Sequence, residues 1–488
     1  MTMSRMSAWL DRRIIGLVLG PLLFIVLLVL PVPQNMSPAA WSVGAVALLM
    51  ATWWITEAIP IAATALLPIV LFPFLDVMST SSTTSAYANH LIYLFIGGFL
   101  IAMAMQKWNL HRRIALHTIH RVGVSPSRII LGFMLATAFL SMWISNTATA
   151  MMMLPIALAV INQLTINQPT GTDKCKTTSE FGTSLMLGIA YSASIGGVAT
   201  LIGTPPNAIL AGVLENLYQQ RISFAAWMSF GVPLALVMLA IAWFYLTRLA
   251  YPVGHQATPG IKELITKELS ELGPMSRQER WVAIIFLGVA ISWISRGLFD
   301  ITALTGVSDA SIAMTGALLL FVIPADFSKR EFLLDWPSAV KLPWDILILF
   351  GGGFALAQGF SDSGLTQWIV TQLSILQGVH LVALVLVVTL VVIFLTEVTS
   401  NTATATLFLP VMGALAQAVN IEPLYLMVPA AIAASFAFML PVATPPNAIV
   451  FSSRYVTIPQ MARAGLWMNL IASLIITAFV MLLLPFIQ

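Results

Sequence analysis

Apolar residues run along this chain in blocks of about 20, the length that crosses a bilayer. They lie at about 14–32, 40–56, 59–75, 90–106, 183–212, 226–250, 281–296, 311–324, 344–361, 423–452 and 463–487, which predicts eleven transmembrane helices. Two further blocks, 128–163 and 380–418, are too long for one crossing, and each carries a polar Ser-Asn-Thr at its middle. These predict re-entrant helical hairpins that enter and leave on one side, because irregular backbone at that depth is tolerated only inside protein or beside a water-filled cavity.

The pattern occurs twice. LFIGGF at Leu94–Phe99 returns as LFGGGF at Leu349–Phe354, and SNTATA at Ser145–Ala150 returns at Ser400–Ala405, both after the same interval of 255 residues. A third pair, TPPNAI, starts at Thr204 and at Thr444. Each half therefore holds a Gly-rich helix, a Ser-Asn-Thr hairpin and a Thr-Pro-Pro-Asn break.

Composition supports a membrane protein: 59% of residues are hydrophobic and 8% charged, with a mean hydropathy of +0.93, against roughly one-quarter charged in soluble domains. The lone Cys175 excludes an internal disulfide. The first apolar run, Ile14 to Leu30, follows Arg5, Arg12 and Arg13 as a secretory signal would, but it ends in Leu-Pro-Val-Pro without a small-residue cleavage site. It is expected to stay as the first helix.

Lys and Arg collect on the cytoplasmic side. With the N-terminus inside and both hairpins re-entrant, all of them face the cytoplasm except Arg221 and Arg296, and a full crossing by either hairpin would erase that asymmetry. Five crossings then separate the two Gly-rich helices, so the halves are expected to be inverted and the C-terminus external. Inverted repeats with interrupted helices are a design of secondary transporters.

At the two Ser-Asn-Thr turns one helix ends and another begins, which places backbone N–H groups and a positive dipole end there. Hydroxyls and amides of the motif can bind carboxylate oxygens, and the same oxygens with freed carbonyls suit a hard cation such as sodium. No Lys, Arg or His lies in the hairpin centres or breaks, so a bound dianion would be neutralised by dipoles and co-bound cations. Sodium dependence is the expected consequence. At the breaks, Pro lacks an N–H and disfavours helix in the residue before it, so both helices should unwind near Gly203 and Ala443.

Other conspicuous residues have plainer explanations. Glu397 is an intramembrane acid beside the second motif, with ion coupling and a local polar partner both open to it. Glu57 at a helix junction is expected to be structural, and His111, His117 and His120 with Arg112, Arg113 and Arg121 form a basic interfacial helix rather than a metal site. The chain shows no HExxH, GxSxG or Cys pair, so an enzyme is not indicated. A channel shares the composition and would be told apart by unsaturated flux.

The segment Ala434–Asn447 (ASFAFMLPVATPPN), both Ser-Asn-Thr motifs and Trp54–Pro60 (WITEAIP) resemble the divalent anion:sodium symporter family, which carries dicarboxylates, citrate or sulfate. The likeness covers nearly the whole chain and is weakest before Trp41 and over 251–280. It implies an all-α polytopic homodimer with elevator-type scaffold and transport domains in the inner (plasma) membrane, without nucleic-acid partners. N-terminal scaffold helices would occupy 1–89, the first repeat 90–250, a cytoplasmic linker 251–280, scaffold helices and a loop 281–343, and the second repeat 344–488. Substrate contacts carry over to Ser145, Asn146, Thr147, Ser400, Asn401 and Thr402, with Thr204, Pro205, Thr444 and Pro445 nearby. One sodium would take Ser141, Ser145, Asn146 and Gly203, and a second Thr396, Thr399, Asn401 and Ala443. The expected function is sodium-coupled symport of succinate, malate or fumarate. The alternatives are a sodium-independent dicarboxylate exchanger and a sodium-coupled citrate or sulfate transporter.

Overall fold

The computed structural model describes residues 3–123, 125–166, 172–253, 260–298 and 306–484. The side chains of Arg5, Lys174, Cys175 and Lys176, residues 254–259 of the expected linker, and the last four residues lie outside what is described. Among the described residues eight helices are long and apolar enough to cross a membrane, or nine if the pair Leu365–Leu376 and Leu381–Thr396, bent by 118°, forms one span. Of the eleven expected spans, 59–75, 311–324 and 423–452 fold as shorter apolar helices and 281–296 lies in Arg277–Leu298, outside the eight, whereas Asn146–Leu164 of the first hairpin block is among them. Ile61–Phe74, Pro126–Ser141, Asp309–Val322 and Leu424–Ser435 are apolar but have fewer than 18 residues.

Both long apolar blocks fold as helix-turn-helix. The first joins Pro126–Ser141 to Asn146–Ile166, and the second joins Leu381–Thr396 to Asn401–Ala418. The block at 183–212 divides into Thr172–Val198 and Pro205–Tyr218, and that at 423–452 into Leu424–Ser435 and Pro445–Ser452. Pro205 and Pro445 each open a new half-helix rather than kinking a continuous one. Thr204 (φ −143°, ψ 141°) and Thr444 (φ −138°, ψ 151°) are extended before them, as the residue before proline prefers. At the first helical position the missing N–H costs no hydrogen bond.

The halves interlock. Pro205–Tyr218 packs against Asn401–Ala418 of the other half, while Pro445–Ser452 packs against Asn146–Ile166. The two Gly-rich helices, His90–Lys107 and Trp344–Asp362, meet through Phe95 and Phe350, equivalent positions whose rings contact edge to face at 4.9 Å. A Cβ at Gly97 would collide with the backbone of Ala313, and one at Gly352 with the carbonyl of Ala65. These helices are glycine-rich because their neighbours approach to backbone distance.

The basic helix Leu110–Val122 is tied to the segment that precedes Arg277–Leu298. Arg113 grips Glu279 through Nε (2.9 Å) and Nη2 (3.1 Å) and also donates to the carbonyls of Leu272 and Gly273. Arg112 pairs with Glu268. Burial pushes the Glu279 carboxyl up, yet Arg113 and Ser276 hold it below the ordinary carboxylate range. The expected linker thus contains a helix, Ile261–Glu271, with Ile261 and Ile265 buried. His111 Nδ1 sits 2.9 Å from the carbonyl of Met105, and Glu57 caps a helix in the left-handed conformation, both structural roles. The only strands among the described residues are a short antiparallel pair, Pro324–Asp326 with Glu331–Phe332.

Candidate functional site

Each Ser-Asn-Thr turn lies beside the broken helix of its own half. In the first half, Ser141 Oγ donates to the carbonyl of Ala193 (2.7 Å) and lies 2.5 Å from the Asn146 amide. With the Asn146 amide turned over, its nitrogen donates to Ser141 Oγ and to the carbonyls of Ala193 (3.1 Å) and Gly203 (3.2 Å). The amide thus touches three oxygens, and with Oδ1 in its place the group is an all-oxygen set of the kind hard cations take. Gly197 makes room for it, since a Cβ there would strike the Asn146 side chain, and a Cβ at Gly203 would strike the backbone of Gly197.

In the second half the same relation recurs. Thr396 Oγ1 donates to Asn401 Oδ1 (2.7 Å) and to the carbonyl of Ala434 (3.0 Å). Thr399 uses its hydroxyl on Leu395 O and Thr404, which leaves its carbonyl for any ligand. No hydrogen bond among the described residues joins Asn401 to Ala443. The second break, 436–444, is longer than the first, 199–204.

The asparagines of the two breaks play identical parts. Asn207 Nδ2 donates to the carbonyls of Gly197 (3.4 Å), Val198 (3.2 Å) and Thr200 (2.7 Å), and Asn447 Nδ2 to those of Ala437 and Leu440 (both 3.0 Å). Buried carbonyls freed by a broken helix need such donors. The sequence motif contained both asparagines, but their targets depend on the path of the break. The carbonyls of Ala193 and Ala434 were missed for a related reason, since a backbone acceptor carries no side-chain signal.

Among the expected substrate residues, Ser145 accepts from Ala148 N (3.3 Å), while Thr147 and Thr402 make no side-chain hydrogen bond among the described residues and are half-buried. Ser400 caps its helix without a side-chain bond. Thr204 reaches across the halves to Ser435 Oγ (3.3 Å), and Thr444 instead caps its own half-helix at Asn447 N. The site residues of the two halves therefore form two local groups, joined directly by the Thr204–Ser435 contact. Pro205 and Pro445 start the half-helices beside them.

Glu397, 3% exposed, turns out to be fully partnered. Its Oε1 accepts from the N–H groups of Phe438 (2.7 Å) and Met439 (2.9 Å) and from Asn469 Nδ2 (2.8 Å), and its Oε2 from Leu440 N (3.0 Å).

The profile described as "Sodium:sulfate symporter transmembrane region" matches residues 11–486. The sodium-dependent dicarboxylate transporter SdcS of Staphylococcus saprophyticus is 48% identical over 476 residues, covering 97% of this chain and 92% of the relative. SdcS of Staphylococcus aureus is likewise 48% identical, over 480 residues. Among solved structures, the fold is similar to the YdaH transporter of Alcanivorax borkumensis (TM-score 0.55, 13% identity, 90% of this chain and 98% of that one). It is also similar to MtrF of Neisseria gonorrhoeae (TM-score 0.57, 11% identity, 82% of each).

Proposed function

The chain belongs to the sodium:sulfate (divalent anion:sodium) symporter family, and from that premise we propose that it is a sodium-coupled symporter of C4-dicarboxylates. It is a multi-pass plasma-membrane transporter and not an enzyme, and sodium is its co-transported ion. The observation that carries the substrate class is the 48% identity, over nearly the whole length, to a sodium-dependent dicarboxylate transporter.

The finer reading assigns roles to the duplicated units. Asn146 Oδ1, Ser141 Oγ, Ser145 and the carbonyl of Gly203 would hold one sodium, to which the geometry adds the Ala193 carbonyl. Asn401, Thr396, and the carbonyls of Thr399 and Ala443 would hold the other. Ser145, Asn146 and Thr147 with Ser400, Asn401 and Thr402 would take the two carboxylates, flanked by Thr204, Pro205, Thr444 and Pro445. Supporting this are the hydroxyls of Thr147 and Thr402, uncommitted among the described residues, and the start of a helix at Asn146 and at Asn401, where backbone N–H groups favour anions.

In the same reading the halves are inverted repeats with re-entrant hairpins, the N-terminus is cytoplasmic and the C-terminus external. The repeats move as an elevator-type transport domain against scaffold helices at 1–89 and 281–343, in a homodimer.

The test is uptake of radiolabelled succinate into proteoliposomes of the purified protein. Accumulation with an inward sodium gradient and none with potassium in its place is the expected result. Exchange against preloaded succinate that ignores sodium would overturn the symporter reading, and competition by citrate or sulfate stronger than by malate would overturn the substrate class.

A further inference from the structure

Glu397 lies between the two pieces of the proposed second sodium site. It directly follows Thr396, whose hydroxyl touches Asn401, and its carboxylate collects three successive backbone N–H groups, Phe438 to Leu440, from the middle of the second break. Consecutive N–H groups in a non-helical turn form a concave anion cradle, and hydrogen bonds to a charged acceptor are about twice as strong as neutral ones. The carbonyl face of that turn is secured separately. Leu440 O accepts from Asn447 Nδ2 and from Ala443 N (3.2 Å). A continuous line of contacts thus runs from the hairpin tip through Glu397 and Leu440 to Ala443.

The first half solves the same problem without a charge. Met142 stands at the equivalent position, and its carbonyl accepts from Thr200 Oγ1 (2.5 Å), which in turn accepts from Gly203 N (3.1 Å). One hydroxyl suffices for a break of six residues, 199–204, whereas the break of nine, 436–444, leaves three N–H groups to satisfy.

We propose that Glu397 is a positioning residue for the second sodium: by fixing the break against the hairpin tip it places the Ala443 carbonyl opposite Asn401, and so sets sodium affinity at that site alone. The proposal rests on the sodium-symport reading above. Glutamine at 397 keeps the volume but offers one acceptor oxygen where two serve now, and turns an NH2 donor toward backbone donors. Aspartate falls a methylene short.

The experiment is a sodium titration of succinate uptake in proteoliposomes for wild type, Glu397→Gln, Asn469→Ala and Thr200→Ala, with sodium-induced thermal shift in detergent as a second readout. For Glu397→Gln the half-saturating sodium concentration is expected to rise about tenfold or more and its cooperativity to fall. The succinate half-saturation at saturating sodium should stay within about threefold. Asn469→Ala should shift sodium in the same direction by less and serves as the test if Glu397→Gln does not fold. Thr200→Ala, which loosens the first break instead, should raise the half-saturating sodium concentration by only about a few-fold. Unshifted sodium curves in Glu397→Gln and Asn469→Ala, or an equal loss of succinate and sodium affinity, would overturn the proposal while wild-type sodium dependence stands. Wild-type uptake indifferent to sodium would overturn the functional reading and this inference with it.

Discussion

Set side by side, the two hairpin tips carry the same Ser-Asn-Thr motif on different supports. Trp143 of the first tip is 7% exposed, stacked on Phe224 and Trp293 with Phe286 edge-on. Its equivalent, Val398, is 55% exposed, as is Val442 of the neighbouring break at 78%. The first tip is closed over by aromatic rings on the helices Phe224–Phe244 and Arg277–Leu298, and the second is open and braced from behind by a buried carboxylate. The Ser-Asn-Thr motif is the same in both halves, and the residues that brace it differ. The divergence extends outward, since the helix Leu110–Val122 is basic and paired to carboxylates, while its counterpart Leu365–Leu373 carries no charge.

This comparison can be broken most severely at the residues the tips share. Asn146→Ala and Asn401→Ala are each expected to reduce uptake by about 100-fold or more in protein that remains folded and membrane-inserted. Normal uptake in either would remove that half from the site. Next in size is the contrast between the supports. Trp143→Ala should destabilise the protein by about 3–5 kcal/mol, the usual cost of emptying a large aromatic site, whereas Val398→Ala should stay within about 0.5 kcal/mol, both measured as unfolding in detergent. Equal costs would mean that the tips are supported alike. Arg113→Ala should cost about 3 kcal/mol by leaving Glu279 buried without its partner. That loss should appear in thermal stability rather than in sodium affinity. On sodium dependence the smallest effect is expected of Thr200→Ala, about 1 kcal/mol for one lost bridge, read as a few-fold rise in the half-saturating sodium concentration. A shift as large as that of Glu397→Gln would show the hydroxyl and the carboxylate to be equivalent braces.

Much of this arrangement was legible in the sequence because it is written twice. The interval shared by LFIGGF and Ser-Asn-Thr located both hairpins, and proline placed both breaks to the residue, since its chemistry is local. The partners of Ser141, Asn146 and Asn401 include side chains only five residues away across the same turn, so motif position reached them. What stayed hidden depends on how long a break is and where it returns. Nothing local to Glu397 says that residues 438 to 440 and Asn469 come to it, and nothing in Ala193 or Ala434 marks their carbonyls as acceptors. The helix Ile261–Glu271 was obscured by its charges, which look like an exposed linker until Arg112 is seen to pair with Glu268. The count of spans differed because an apolar run does not show how long its helix is: 59–75 and 311–324 fold as helices of fewer than 18 residues, and 423–452 is cut by its Thr-Pro-Pro-Asn break.

The absence of Lys, Arg and His from both tips and both breaks has a consequence for how transport responds to acid. Recognition of the substrate's charge would rest on amides, hydroxyls and helix ends, none of which gains or loses a proton near neutrality. The binding groups then present the same surface at pH 6 as at pH 8, and a pH dependence of affinity in that range would report ionisation of the substrate or of Glu397, the brace of the second tip. A monoprotonated dicarboxylate would be refused for its missing charge, and the apparent affinity for each acid would track the fraction present as the dianion.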